Sequence, residues 1–156
     1  MSEARGLATD FVDADDSPGL MLWRVTQRWQ SSMRAALAPH ELTHVQFVLL
    51  ASLTWMESDS PITQADLAAQ AGTDLMMTSQ VVRALTDKGL VTRSPHPTDG
   101  RAFALAVTPA GARAANSAVV DVESADKEFF SALGRGIQRF ARDLGALSGS
   151  RAQSPS

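Results

Sequence analysis

A chain of 156 residues has the length of one ordinary domain and can bury a real core. It is 44% hydrophobic and 20% charged and contains no cysteine, which excludes disulfides, thiolate zinc sites and thiol redox sensing and fits a reducing cytoplasm. Its net charge of −3 argues at first against nucleic acid, but the acids are concentrated at one end.

Residues 1–16 hold Glu3, Asp10, Asp13, Asp15 and Asp16 against Arg5, so that the remaining chain keeps 13 of the 14 bases and 12 of the 17 acids. Charge placement, not the total, decides phosphate affinity. This segment reads as a flexible acidic arm, and residues 148–156 as a disordered tail. No apolar run approaches the roughly 20 residues of a membrane span. No basic region followed by an apolar stretch opens the chain, so a cytoplasmic protein without a membrane partner is expected.

Ser17-Pro18 predicts a helix start, and Leu22, Val25, Trp29, Met33 and Leu37 recur at helical spacing until Ala38-Pro39 ends the run. Thr43-His44-Val45-Gln46 fits a capping box with Leu42 as a hydrophobic staple, and Phe47, Leu50, Ala51 and Thr54 continue one face of a second helix. Thr63-Gln64-Ala65-Asp66 caps a third helix with Leu67 and Ala71 inward, closed by Gly72 in a left-handed turn.

A fourth helix is expected over Asp74–Lys88, opened by Thr73 or Asp74. Helical spacing puts Leu75, Thr78, Val82 and Leu85 inward and leaves Met76, Met77, Ser79, Gln80 and Arg83 exposed near its front. Leu90–Arg93 and Ala102–Val107 predict paired strands, with Phe103, Leu105 and Val107 alternating to one face. Between them Ser94–Arg101 holds two prolines and an Asp-Gly turn. Thr108-Pro109 starts a long Ala-rich helix reaching about residue 131. Gly134 and Gly136 interrupt it, and Ile137, Phe140, Leu144 and Leu147 mark a last amphipathic stretch.

This order of parts is that of a winged helix-turn-helix, which presents one helix to the DNA major groove and a hairpin to the flanking backbone. The expected fold is mainly α with a small β-hairpin wing. The winged helix occupies about residues 43–108 of a single domain over 17–147. The long segments 17–38 and 109–147 cannot cover their apolar faces alone, so they are expected to pair in a homodimer, which matches a palindromic site. Gln can pair with adenine, Arg with guanine and Met with a thymine methyl, so Met76, Met77, Gln80 and Arg83 are candidate base readers. Ser79 is a candidate phosphate contact. Arg101 at the wing tip suits a minor groove, with Asp99 placed to steady its guanidinium. His96 reads as a loop residue or a phosphate contact.

Several segments resemble the MarR family of bacterial repressors over about residues 17–147. They are Leu42–Leu50, Gln64–Ala68, Ala84–Arg93, Asp99-Gly100-Arg101 and Leu105–Gly111. The resemblance implies a winged-helix homodimer on palindromic double-stranded promoter DNA. It also implies release by small, often phenolic or otherwise anionic ligands bound between the dimerisation helices and the DNA-binding lobe. The family wing usually reads Asp-Arg-Arg; its Asp and second Arg map onto Asp99 and Arg101, and Gly100 replaces the first Arg.

For such a ligand Trp23, His40, His44 and Trp55, with Trp29, are the candidate lining; otherwise the tryptophans are core or dimer contacts and the histidines cap loops. His40-Glu41-Leu42-Thr43-His44 is a literal H-E-x-x-H, the pattern of a zinc hydrolase. Pro39 and the cap at Thr43 put His40 and Glu41 outside the helix, so no metal site, cofactor or enzyme is expected. The rival to DNA binding is a winged-helix module that binds protein, since residues 61–108 carry four acids and four bases.

Overall fold

A computed structural model describes residues 6–56 and 59–149. Of the segments expected to be arm and tail, residues 1–5 and 150–156 lie outside it. The arm is not featureless where it is described. Ala14–Asp16 form a 3-10 turn capped by Asp13, and Asp15 pairs with Arg24 at 2.6 Å.

Six α-helices and one hairpin follow: α1 Pro18–Leu37, α2 His44–Trp55, α3 Gln64–Ala71, α4 Leu75–Asp87, β1 Val91–Pro95, β2 Phe103–Val107, α5 Pro109–Phe129 and α6 Ile137–Leu147. Their starts are set by local chemistry. Ser17, Thr43, Thr63, Asp74 and Thr108 each accept a backbone N–H of the first turn. Thr43 with Gln46 and Thr63 with Asp66 are reciprocal capping boxes. Gly72 closes α3 in the left-handed region, with φ 70°.

The core gathers Met33 and Leu37 from α1, Leu49 and Leu50 from α2, Leu67 from α3, Val82 and Leu85 from α4, Val91 from β1 and Ala118 from α5. The α2 helix was expected to bury one face. It also buries Leu49 and Leu53, because α1, α3, α4 and α5 pack around it. The N-terminal half of the α1 stripe stays open, with Leu22 55% exposed.

The strands pair antiparallel, from Val91 opposite Val107 to Pro95 opposite Phe103. Ile62 adds a third short edge, since Leu105 N–H donates to its carbonyl at 2.8 Å. One residue is too short a run to announce itself as a strand. Leu105 is buried and Val107 half-buried, but Phe103 is exposed and lies under the Arg93 guanidinium, 4.3 Å from the ring centre. Phe103 sits beyond the edge of the body, where no core remains to cover it.

The hairpin is fastened to α5 at its base. Thr108 donates its amide to Leu90 O at 3.0 Å and its hydroxyl to Gly89 O at 2.7 Å. After Phe129 the chain continues as a 3-10 segment, Phe130–Gly136, kinked at Gly134 with φ 51°. The α6 helix packs on that segment through Phe140 and Phe130 and buries none of its residues. No helix among the described residues is long and apolar enough to cross a membrane.

Candidate nucleic-acid interface

The front of α4 is held by three short hydrogen bonds. The Asp74 carboxylate accepts the Met77 amide, the Thr78 hydroxyl donates to Asp74 O, and the Thr73 and Thr78 hydroxyls meet, each at 2.7 Å. Thr78, Val81, Val82 and Leu85 face the body. Met76, Gln80 and Arg83 therefore share the opposite, exposed face; Ser79 is half-buried at one edge, and Met77 borders the α2 side at the other. Leu75 departs from the expected pattern. It is 60% exposed, because the body ends before the first helical residue, and Val81, beside the expected Val82, is buried as well.

The rear of α4 is tied down as well. The Lys88 ammonium donates to the Glu41 carbonyl and, at 3.2 Å, to Gln46 Oε1. At the start of α3, hydrogen bonds from Thr63 hold the Asp66 carboxyl below its ordinary range.

In the wing His96 organises the turn. Its Nδ1 accepts the amides of Asp99 at 3.0 Å and Thr98 at 3.2 Å, which favours the loop reading. Asp99 was expected to steady the Arg101 guanidinium. Its carboxylate instead accepts the Arg101 backbone amide at 3.0 Å, an Asx-type turn that outcompetes an exposed ion pair. Among the described residues Arg24 pairs with Asp15, and His40 Nε2 meets the Asp121 carboxylate, each at 2.6 Å, and Arg101 is in neither contact. The Arg101 side chain projects, exposed, from the end of the wing.

A groove of about 680 Å³ opens between α1, α2 and the front of α4, lined among others by Gln30, Arg34, Leu42, His44, Thr73 and Met77. Of the four ligand candidates His44 alone lines it. Trp23 and Trp55 are exposed, and His40 is drawn to Asp121 of α5 at 2.6 Å. Trp29, not Trp23, meets His44 edge to face with centres 5.0 Å apart, and its indole N–H donates to Asp126 at 2.7 Å. Burial lowers the His44 pKa and nearby Arg34 adds to that, while Asp126 opposes it. Gln30 and Arg34 were missed, although their spacing of four places them on one stripe of α1.

The H-E-x-x-H geometry is absent. His40 ends a 3-10 turn, Glu41 is left-handed with φ 55°, and Thr43 caps the helix that His44 begins. No group of three or more His, Cys, Asp or Glu among the described residues is placed to hold a metal.

The MarR family pattern matches residues 42–103. The uncharacterized HTH-type transcriptional regulator YdcH of Bacillus subtilis is 43% identical over 123 residues, spanning 78% of this chain and 84% of that protein. An HTH-type transcriptional repressor of Mycobacterium tuberculosis is 35% identical over 137 residues, spanning 86% of this chain and 96% of that protein. CouR of Rhodococcus jostii bound to p-coumaroyl-CoA superposes with a TM-score of 0.78 at 24% identity, covering 92% of this chain and 100% of that one. CouR bound to a 23-mer DNA duplex gives a TM-score of 0.77 at 23% identity, covering 89% and 96%. At these identities the solved structures show the fold; the family rests on the sequence relatives. This chain belongs to the MarR family of transcriptional regulators with a DNA-binding winged helix, and not to an enzyme family.

Proposed function

We propose that this protein is a homodimeric repressor that holds a palindromic promoter site and leaves it when a small ligand binds. The carrying observation is the pairing, in one chain, of an open α4 face bearing Met76, Gln80 and Arg83 with a wing that ends in Arg101. Met76, Met77, Gln80 and Arg83 read base edges, and Ser79 contacts phosphate. Asp99 shapes the wing tip, and Arg101 enters the minor groove beside the recognition site.

The dimer is supported by the apolar side chains that the single chain leaves open: Leu22, Trp23 and Val25 on α1 and Leu144 and Leu147 on α6. A second copy covers them and sets the two α4 helices about one turn of B-DNA, roughly 34 Å, apart.

The effector site is the groove beside Arg34, His44 and Met77, in place of the scattered set Trp23, His40, His44 and Trp55. Arg34 supplies a cation for an anionic ligand, and apolar Leu42 and Met77 suit an aromatic one. The p-coumaroyl-CoA bound to CouR supports a small organic effector for this fold. Since Thr73 and Met77 form one wall, a ligand there favours an α4 placement that no longer matches the DNA.

A gel shift with the intergenic DNA upstream of the protein's own gene tests this reading. Retention of that duplex in preference to a scrambled one is expected; equal affinity for both, or none for either, overturns it.

A further inference from the structure

The first turn of α4 carries three consecutive large apolar side chains, Leu75, Met76 and Met77, which are 60%, 75% and 43% exposed. Met77 borders the groove, so Leu75 and Met76 form the free apolar end of the helix. The first turn holds no acid, and the carboxylate of the capping Asp74 is engaged by the Met77 amide. The Asp74 carboxylate offsets the positive end of the helix dipole, so these two side chains offer a partner apolar surface. One and two turns later the open face changes character, to the amide of Gln80 and then the cation of Arg83.

Water is a poor partner for two such side chains, and a phosphate offers them no apolar contact. Among the groups on base edges in the major groove, the apolar one is the C5 methyl of thymine. We propose that Leu75 and Met76 are specificity residues that read thymine methyl groups, so that each operator half-site carries thymine where the N-terminus of α4 enters the groove. The inference rests on the DNA-binding reading above. The rise from Met76 to Arg83 is about 10 Å. That is about three base steps, so the thymine and the base read by Arg83 belong to one short block of the half-site.

The test begins with selection of a preferred site from a pool of random duplexes by the full-length protein. Each thymine of that site is then replaced by deoxyuridine, which deletes only the methyl. Anisotropy titrations compare the wild type with the double variant Leu75→Ala, Met76→Ala. Both side chains are exposed, so the variant keeps its fold, and circular dichroism checks this. The wild type is expected to lose about three- to tenfold in affinity at one or two thymines per half-site, the scale of one buried methyl group. The double variant is expected to bind thymine and deoxyuridine sites equally. Wild-type affinity that is indifferent to every replacement, or a double variant that keeps the full methyl preference, overturns the inference alone. A protein that selects no duplex overturns the DNA-binding reading and the inference with it.

Discussion

Gly111 of α5 lies so close to Leu90 that a Cβ on it would stand 2.0 Å from the Leu90 carbonyl oxygen and 2.9 Å from Val107 Cγ1. Leu90 is the residue before β1, and its carbonyl already accepts the Thr108 amide. Here the long helix touches the base of the wing, backbone against backbone, so no rotamer change relieves the contact. Gly111→Ala is expected to destabilise the fold by about 3 kcal/mol, the upper range for overpacking. Urea denaturation measures the loss, and a midpoint equal to that of the wild type would refute the close approach.

Arg101→Ala is expected to weaken DNA binding for every sequence and to reduce the slope of log affinity against log salt by about 1. Gln80→Ala and Arg83→Ala are expected to change base preference as well, at about 1–3 kcal/mol of discrimination each. Titrations from low to physiological salt on the selected and a scrambled duplex separate the two classes.

Asp99 acts on the Arg101 backbone and not on its guanidinium, and this distinction can be measured. Asp99→Asn keeps an oxygen acceptor for the amide and removes the charge. It is expected to bind DNA within about twofold of the wild type, whereas Asp99→Ala loses about 1 kcal/mol, the usual worth of one hydrogen bond. If the asparagine variant fell as far as the alanine variant, an ion pair would be the better account.

The half-buried position of His44 gives its contribution to stability a definite sign. Its folded pKa is below the ordinary 6.5, first because of burial and then because of Arg34, against the pull of Asp126. Above that value it is neutral in both states and its contribution is complete. As pH falls through 6.5 the unfolded chain takes up the proton first, and stability is lost. Thermal unfolding between pH 8 and 5 is expected to show a smaller acid-side loss in His44→Phe than in the wild type; parallel curves would exclude the effect.

Leu144 lies on the uncovered apolar face of α6. If that face meets a second copy, Leu144→Asp places a charge in an apolar contact and is expected to give a monomer at concentrations where the wild type is a dimer. Sedimentation velocity reads the difference, and a wild-type monomer would refute the dimer itself.

The sequence by itself determined where the first five helices begin and what kind of module the helices and hairpin compose. Ser17, Thr43, Thr63, Asp74 and Thr108 cap amides three residues away, so the chemistry that starts a helix is local and can be read locally. The exposed face of α4 was legible for the same reason, since helical spacing alone sets Met76, Gln80 and Arg83 on one side. Only the tertiary structure decided the rest. Leu75 points outward because the body ends beside it, and Phe103 because the wing extends past the core. His40 and Asp121 meet from 81 positions apart, and Trp29 and Asp126 from 97, which separates His40 from the groove and puts Trp29 against His44. Burial and long-range hydrogen bonds depend on which element lies opposite, and helical spacing contains no record of that.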